Sequence, residues 1–148
     1  MVEEIRRNGN LSVVDIDDLL LNRENFRIHY ITARDEADVV RRLFQEEKIV
    51  EMANDIVSYG GLYPHENLLA VRENGKIIVL EGNRRTLAIK CLLNLSLVPE
   101  EFRQEFTEKT GELSDEFKSN VRKVSVAFVP SRQEALVVFF SILDKSPK

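Results

Sequence analysis

Residues 68–92 constrain this chain more than any other stretch, because one short run encodes two strands, the turn between them, a corner and the start of a helix. Leu68-Leu69-Ala70-Val71 and Ile77-Ile78-Val79-Leu80 are apolar runs of strand length. Between them stands Asn74-Gly75, two residues that accept the positive φ of a tight hairpin turn. The sequence therefore predicts an antiparallel hairpin. Past Leu80 the period changes. Gly82 permits a sharp turn, and Leu87, Ala88, Cys91, Leu92 and Leu95 recur at helical spacing, so a helix is predicted from just after Gly82-Asn83.

The flanking sequence supplies more of both element types. Leu11-Ser12-Val13-Val14 reads as an opening strand running into a turn or short helix at Asp15-Ile16-Asp17-Asp18, followed by a polar loop over Asn22–Arg27. Thr32 and Asp35 form a capping-box pattern that predicts a helix over 35–45. Ile49, Val50, Met52, Ala53, Ile56 and Val57 make one apolar stripe, predicting a helix over 48–59 that Gly60-Gly61 stops. Residues 99–120 are mostly charged, with Phe102, Phe106, Leu113 and Phe117 spaced among them. Gly111 divides them into two short helices, read as an insertion packed over the core. Val124–Val129 alternates as a strand does, and Ser131-Arg132-Gln133-Glu134 is a capping box opening a helix through Leu136, Phe139 and Phe140. The expected fold is α+β: a small mixed sheet with flanking helices and a helical insertion.

Size and composition limit the function. A chain of 148 residues fits one domain, with a core over about 11–130, and 43% hydrophobic content against 31% charged is enough to bury a core. No apolar run approaches the roughly 20 residues that span a bilayer, and no apolar stretch follows the charged amino terminus, so a soluble cytoplasmic protein is expected, with no membrane partner. Cys91 is the only cysteine and His29 and His65 the only histidines, which removes any internal disulfide and disfavours zinc. With 21 basic against 25 acidic side chains the net charge is -4, so broad attachment to a nucleic-acid backbone is not expected of these residues.

The corner at 80–86 has the chemistry of an anion site. Gly82 allows close backbone approach, the helix start presents N–H groups that lack intrahelical partners, and Arg84 and Arg85 supply guanidinium groups suited to phosphate. The plainer reading is a turn glycine followed by a solvated first turn. Two arginines there oppose the helix dipole, however, and a purely structural start favours Asp or Glu. Gly60-Gly61-Leu62-Tyr63-Pro64-His65 is explained by a helix stop and connection alone. Glu81 adjoins the corner, where it either orients water or a metal or neutralises an arginine. His65 and Glu66 either touch phosphate or a magnesium-bound water or are solvated.

In order, these segments resemble the amino-terminal domain of ParB proteins, within the ParB/sulfiredoxin superfamily. Gly60 to Pro64 is similar to a Gly-x-x-x-Pro box, the two strands follow, and Gly82, Arg84, Arg85 and Ala88 match Gly-x-Arg-Arg-x-x-Ala. Val14-Asp15-Ile16, Asn25-Phe26-Arg27 and Val124 to Pro130 extend the likeness over about 11–130. Asn83 stands where the ParB box commonly has glutamate. The resemblance implies a domain that binds a nucleoside triphosphate, CTP or ATP, with Mg²⁺. It places the phosphates against Gly60, Gly61, Pro64, Gly82, Asn83, Arg84, Arg85 and Thr86, with His65 at the mouth. Glu81 would be the catalytic carboxylate of an active enzyme, and Glu81 and Glu66 the carboxylates nearest a magnesium ion.

That likeness implies a nucleotide-dependent switch in a DNA-associated protein, with the triphosphate biasing self-association. No helix-turn-helix or coiled coil is recognisable before Ser146-Pro147-Lys148, so the chain reads as a fragment whose DNA contacts lie in other regions. The alternatives are a nuclease, nucleotide hydrolase or phosphotransferase of the same fold, and an interaction module that uses residues 99–120 without nucleotide. Sulfiredoxin chemistry needs a cysteine directly after the box glycine, and Asn83 stands there. Cys91, on the apolar helix face, is expected to be inert.

Overall fold

A computed structural model describes residues 11–22, 36–62 and 67–134. The Asn25-Phe26-Arg27 segment, His29, the Thr32-Asp35 capping box, Pro64, His65, Glu66 and the apolar positions beyond Glu134 lie outside the described residues.

Five strands, β1 (Leu11–Asp15), β2 (Leu19–Leu21), β3 (Leu68–Glu73), β4 (Lys76–Glu81) and β5 (Lys123–Val129), form one sheet in the order β1-β5-β3-β4-β2. Its pairing is mixed. β1 with β5 and β3 with β4 are antiparallel, while β3 with β5 and β2 with β4 are parallel. The α-helices lying wholly within the described residues are α1 (Glu36–Glu46), α2 (Ile49–Tyr59), α3 (Asn83–Leu93), α4 (Glu100–Thr110) and α5 (Asp115–Val121). The class is α+β.

The β3–β4 hairpin turns where expected, with Asn74 and Gly75 at φ 53° and 76°. Because strand side chains alternate, each strand serves two faces. Leu68, Ala70, Val79, Val124 and Val126 join the main core with Leu87, Ala88 and Ile89 of α3 and Ile49, Ala53 and Ile56 of α2. Leu69, Val71, Leu80 and Val129 form a second, smaller cluster.

The segment 99–120 is the expected pair of short helices, separated at Gly111 with φ 69°. Phe102 and Phe106 of α4 lean on Phe44 of α1, with ring centroids 5.3 and 6.3 Å away. These are ordinary distances for aromatic pairs.

One element was not anticipated and one local expectation is corrected. Leu19–Leu21 forms β2, a parallel edge strand that pairs Leu19, Leu20 and Leu21 with Ile77, Ile78 and Val79. A parallel partner so far along the chain leaves no turn signal beside the strand. The helix stripe also stops before Leu95, which is 42% exposed in a 3-10 turn over Leu95–Leu97. Asn94 ends α3 because its Oδ1 accepts hydrogen bonds from Ser96 N–H and Oγ, opening that turn.

Candidate functional site

The sheet delivers three segments to one end. β4 finishes there at Glu81, β3 begins at Leu68, and the first residues of β5 project past the start of β3, since Leu68 pairs with Val126. α3 leaves from this end through Gly82, whose φ of 102° and ψ of 21° are left-handed. Glycine is required there twice over. The backbone region penalises a side chain, and a Cβ would overlap Leu68 Cδ2.

Arg85 folds back over the same point. Its Nη2 and Nε lie 3.1 and 3.6 Å from where a Gly82 Cβ would sit, so the guanidinium lies over the glycine corner rather than out in solvent. Successive helical residues differ by about 100°, so Arg84 takes another direction. It is half-buried, and its Nε–H meets no acceptor among the described residues, as is also true of Arg42 and Arg103. The first intrahelical bond is Thr86 N–H to the Gly82 carbonyl at 2.9 Å, so the N–H groups of Asn83, Arg84 and Arg85 precede the hydrogen-bonded ladder. No acid occupies the first turn of α3.

Asn83 and Thr86 contribute differently from Arg84 and Arg85. Asn83 is 4% exposed, its Oδ1 accepts the Asn22 N–H at 3.0 Å, and its Nδ2 donates to the Val79 carbonyl at 3.0 Å. Thr86 is fully buried and its hydroxyl donates back to the Gly82 carbonyl at 2.8 Å. These side chains hold the corner together. A ligand would meet the backbone here.

Gly60 and Gly61 end α2 as expected, both N–H groups bonding the Ile56 carbonyl at 2.9 Å. They line a cleft of about 250 Å³ with Asn67, Ile89, Lys123 and Ser125 among its other walls. Gly82 and the arginines do not line it, but the chain links it to the corner at two points. Ile89 lies one helical turn beyond Arg85 on the same face of α3, and Asn67 precedes the Leu68 that packs on Gly82. Beside the cleft, Lys123 pairs with Asp15 at 3.4 Å and Arg122 with Asp17 at 2.6 Å. The Asp15 carboxyl is held below the usual range first by the Asp17 N–H and then by these cations.

Glu81 is half-buried at the end of β4. Among the described residues no cluster of three His, Cys, Asp or Glu side chains could hold a metal. Cys91 is 1% exposed and burial pushes its thiol up to about 12, so at neutral pH it carries almost no thiolate. No described helix is long and apolar enough to cross a membrane.

Asn22, Glu73 and Arg132 were not legible as site residues. Arg132, in the first turn after Ser131, binds both Glu73 oxygens at 2.9 and 3.0 Å and donates to Asn22 Oδ1 at 2.8 Å. Its hydrogen bond holds the Glu73 carboxyl below the usual range. The capping box itself forms, Ser131 Oγ accepting the Glu134 N–H at 3.2 Å. No known protein-family model matches the chain, and no curated protein is significantly similar to it.

Proposed function

We propose that the Gly82 corner grips the phosphates of a nucleoside triphosphate, and that the chain is a nucleotide-dependent switch domain, resembling that of ParB, within a DNA-associated cytoplasmic protein. One observation carries the reading. Among the described residues the buried polar side chains are Asn22, Asn83, Thr86 and Thr110, and the first three meet around this corner. Polar groups are costly to bury, and these fix a helix start that presents N–H groups and two arginines. Such an end stabilises an anion through directed N–H groups and the positive helix terminus.

Magnesium fits this chemistry without a protein cage, because it keeps several waters and binds through substrate phosphates plus one or two carboxylates. Glu81, at the end of β4 next to Gly82, would be one such carboxylate, and the ion would neutralise phosphate charge. The chain's own residues bind and orient the triphosphate; DNA would be contacted by regions outside these residues, and the bound state would favour self-association.

Calorimetry with Mg-CTP and Mg-ATP tests the reading. Arg84→Ala or Arg85→Ala should weaken binding by about 1.5–3 kcal/mol, roughly 10- to 100-fold, while Cys91→Ala leaves affinity unchanged. Absence of triphosphate binding at millimolar concentration, or no loss in either folded arginine variant, removes the assignment and favours the interaction-module alternative.

A further inference from the structure

The side chain of Asn83 is committed to the protein at both ends, yet this residue opens the helix that forms the phosphate corner. Its orientation is unambiguous, since Oδ1 meets an N–H and Nδ2 meets a carbonyl. The donor to Oδ1 is Asn22, which is fully buried at the end of β2, and the Oδ1 of Asn22 in turn accepts from Arg132. Arg132 is itself fixed by a two-pronged contact with Glu73. A continuous path of hydrogen bonds between 2.8 and 3.0 Å thus runs from the helix that opens after Ser131, through the edge strand, to the first residue of α3.

We propose that Arg132 is a positioning residue for the phosphate corner, acting through Asn22 and Asn83, so that the helix start at 131–134 and the ligand site are energetically coupled. The proposal rests on the phosphate reading for its ligand, but the path stands on geometry alone. Arg132 needs its fork, because one guanidinium satisfies Glu73 with two N–H groups and still reaches Asn22 with a third, which a lysine ammonium on a flexible stem does not reproduce. Both asparagines are buried, so water does not readily replace a lost partner. Loss of Arg132 would remove a partner from the Asn22 side-chain Oδ1 and loosen the residue whose backbone N–H seats Asn83 beside Gly82. Coupling works in both directions, so phosphate at the corner would tighten the anchorage of the 131–134 turn.

Amide hydrogen exchange on the full chain, combined with Mg-CTP and Mg-ATP calorimetry, tests this. In Arg132→Ala the buried Asn22 N–H and the Thr86 N–H should exchange at least tenfold faster than in the unsubstituted protein, beyond any change at Val126, which reports global opening. Triphosphate affinity should fall about tenfold, with Arg132→Lys between the two. Should the alanine variant not fold, Arg132→Lys and Glu73→Gln carry the same comparison with smaller shifts. Equal acceleration at all three amides, or none, overturns the proposal and leaves Arg132 as a general stabiliser. Unchanged triphosphate affinity alongside faster exchange also overturns it. If the unsubstituted protein binds no triphosphate, the phosphate reading fails separately, and exchange alone decides whether Arg132 positions the corner.

Discussion

Helices α4 and α5 carry acids in their first turns, Glu100 and Glu101 in one and Asp115 and Glu116 in the other, and lysines, Lys109 and Lys118, in their last. α3 begins instead with two arginines, no acid and a left-handed glycine. In these two helices, local helix energetics account for the residues: charges complement the dipole, Ser114 caps α5 through the Phe117 N–H, and Gly111 ends α4. At α3 the same rules are broken, at a cost of roughly 0.3–1 kcal/mol for each badly placed charge. The corner spends stability on an arrangement that its own helix does not need. Departures of this kind concentrate at functional sites.

The largest test of this contrast is Gly82→Ala set against Gly60→Ala. The two glycines have nearly the same backbone, φ 102° and ψ 21° against φ 94° and ψ 15°, but a Cβ at Gly60 meets nothing within 4 Å whereas one at Gly82 meets Leu68. Gly60→Ala should cost roughly 1–2 kcal/mol of backbone strain, and Gly82→Ala about 1–3 kcal/mol more for overpacking. Denaturant titration of both measures the difference, and equal losses would mean that the Leu68 contact relaxes freely.

Asn83→Ala comes next. It strips partners from the Asn22 N–H and the Val79 carbonyl, both internal, and should cost about 2–3 kcal/mol. Asn83→Asp keeps an acceptor for Asn22 but sets a buried carboxylate oxygen against the Val79 carbonyl, so it should recover little of that loss. A stability unchanged by Asn83→Ala would mean that the corner is not braced as described.

The smallest effect belongs to the α4–α5 pair. Ser114→Ala removes the cap of α5 and should lower stability by about 1 kcal/mol without changing triphosphate affinity. A drop in affinity would extend the site to α5 and dissolve the contrast.

Legibility in the sequence follows the same division. The hairpin at Asn74-Gly75, the stop at Gly60 and the break at Gly111 each rest on a backbone conformation that few residues tolerate, so composition reveals them. β2 stayed hidden because Leu19–Leu21 is short and its partner lies in β4, with no connecting turn to read. At the site, Gly82, Arg84 and Arg85 were legible as a phosphate-like pattern. That Asn83 and Thr86 face inward was not, since it depends on the partner at Asn22 and on packing against β4. Arg132 displays only its place in a capping box; Glu73 and Asn22 reach it through tertiary structure alone.

The pairing of Leu11 with Ala127 through Val14 with Val124 has a consequence for how the protein is made. Translation proceeds at roughly 5–20 residues per second, and β1 waits without its sheet partner until nearly the whole described chain has left the ribosome. Closing so long a loop carries an entropic cost that the local β3–β4 hairpin avoids, so this pairing is expected to form after the hairpin. β3 and β4 pair early, but Asn83 gains its Asn22 brace only when the amino-terminal segment docks beside β4, and β5 completes the sheet last. A nascent chain halted before residue 123 would therefore hold a formed hairpin while β1 stays unpaired and the Arg132 contact to Asn22 is not yet made.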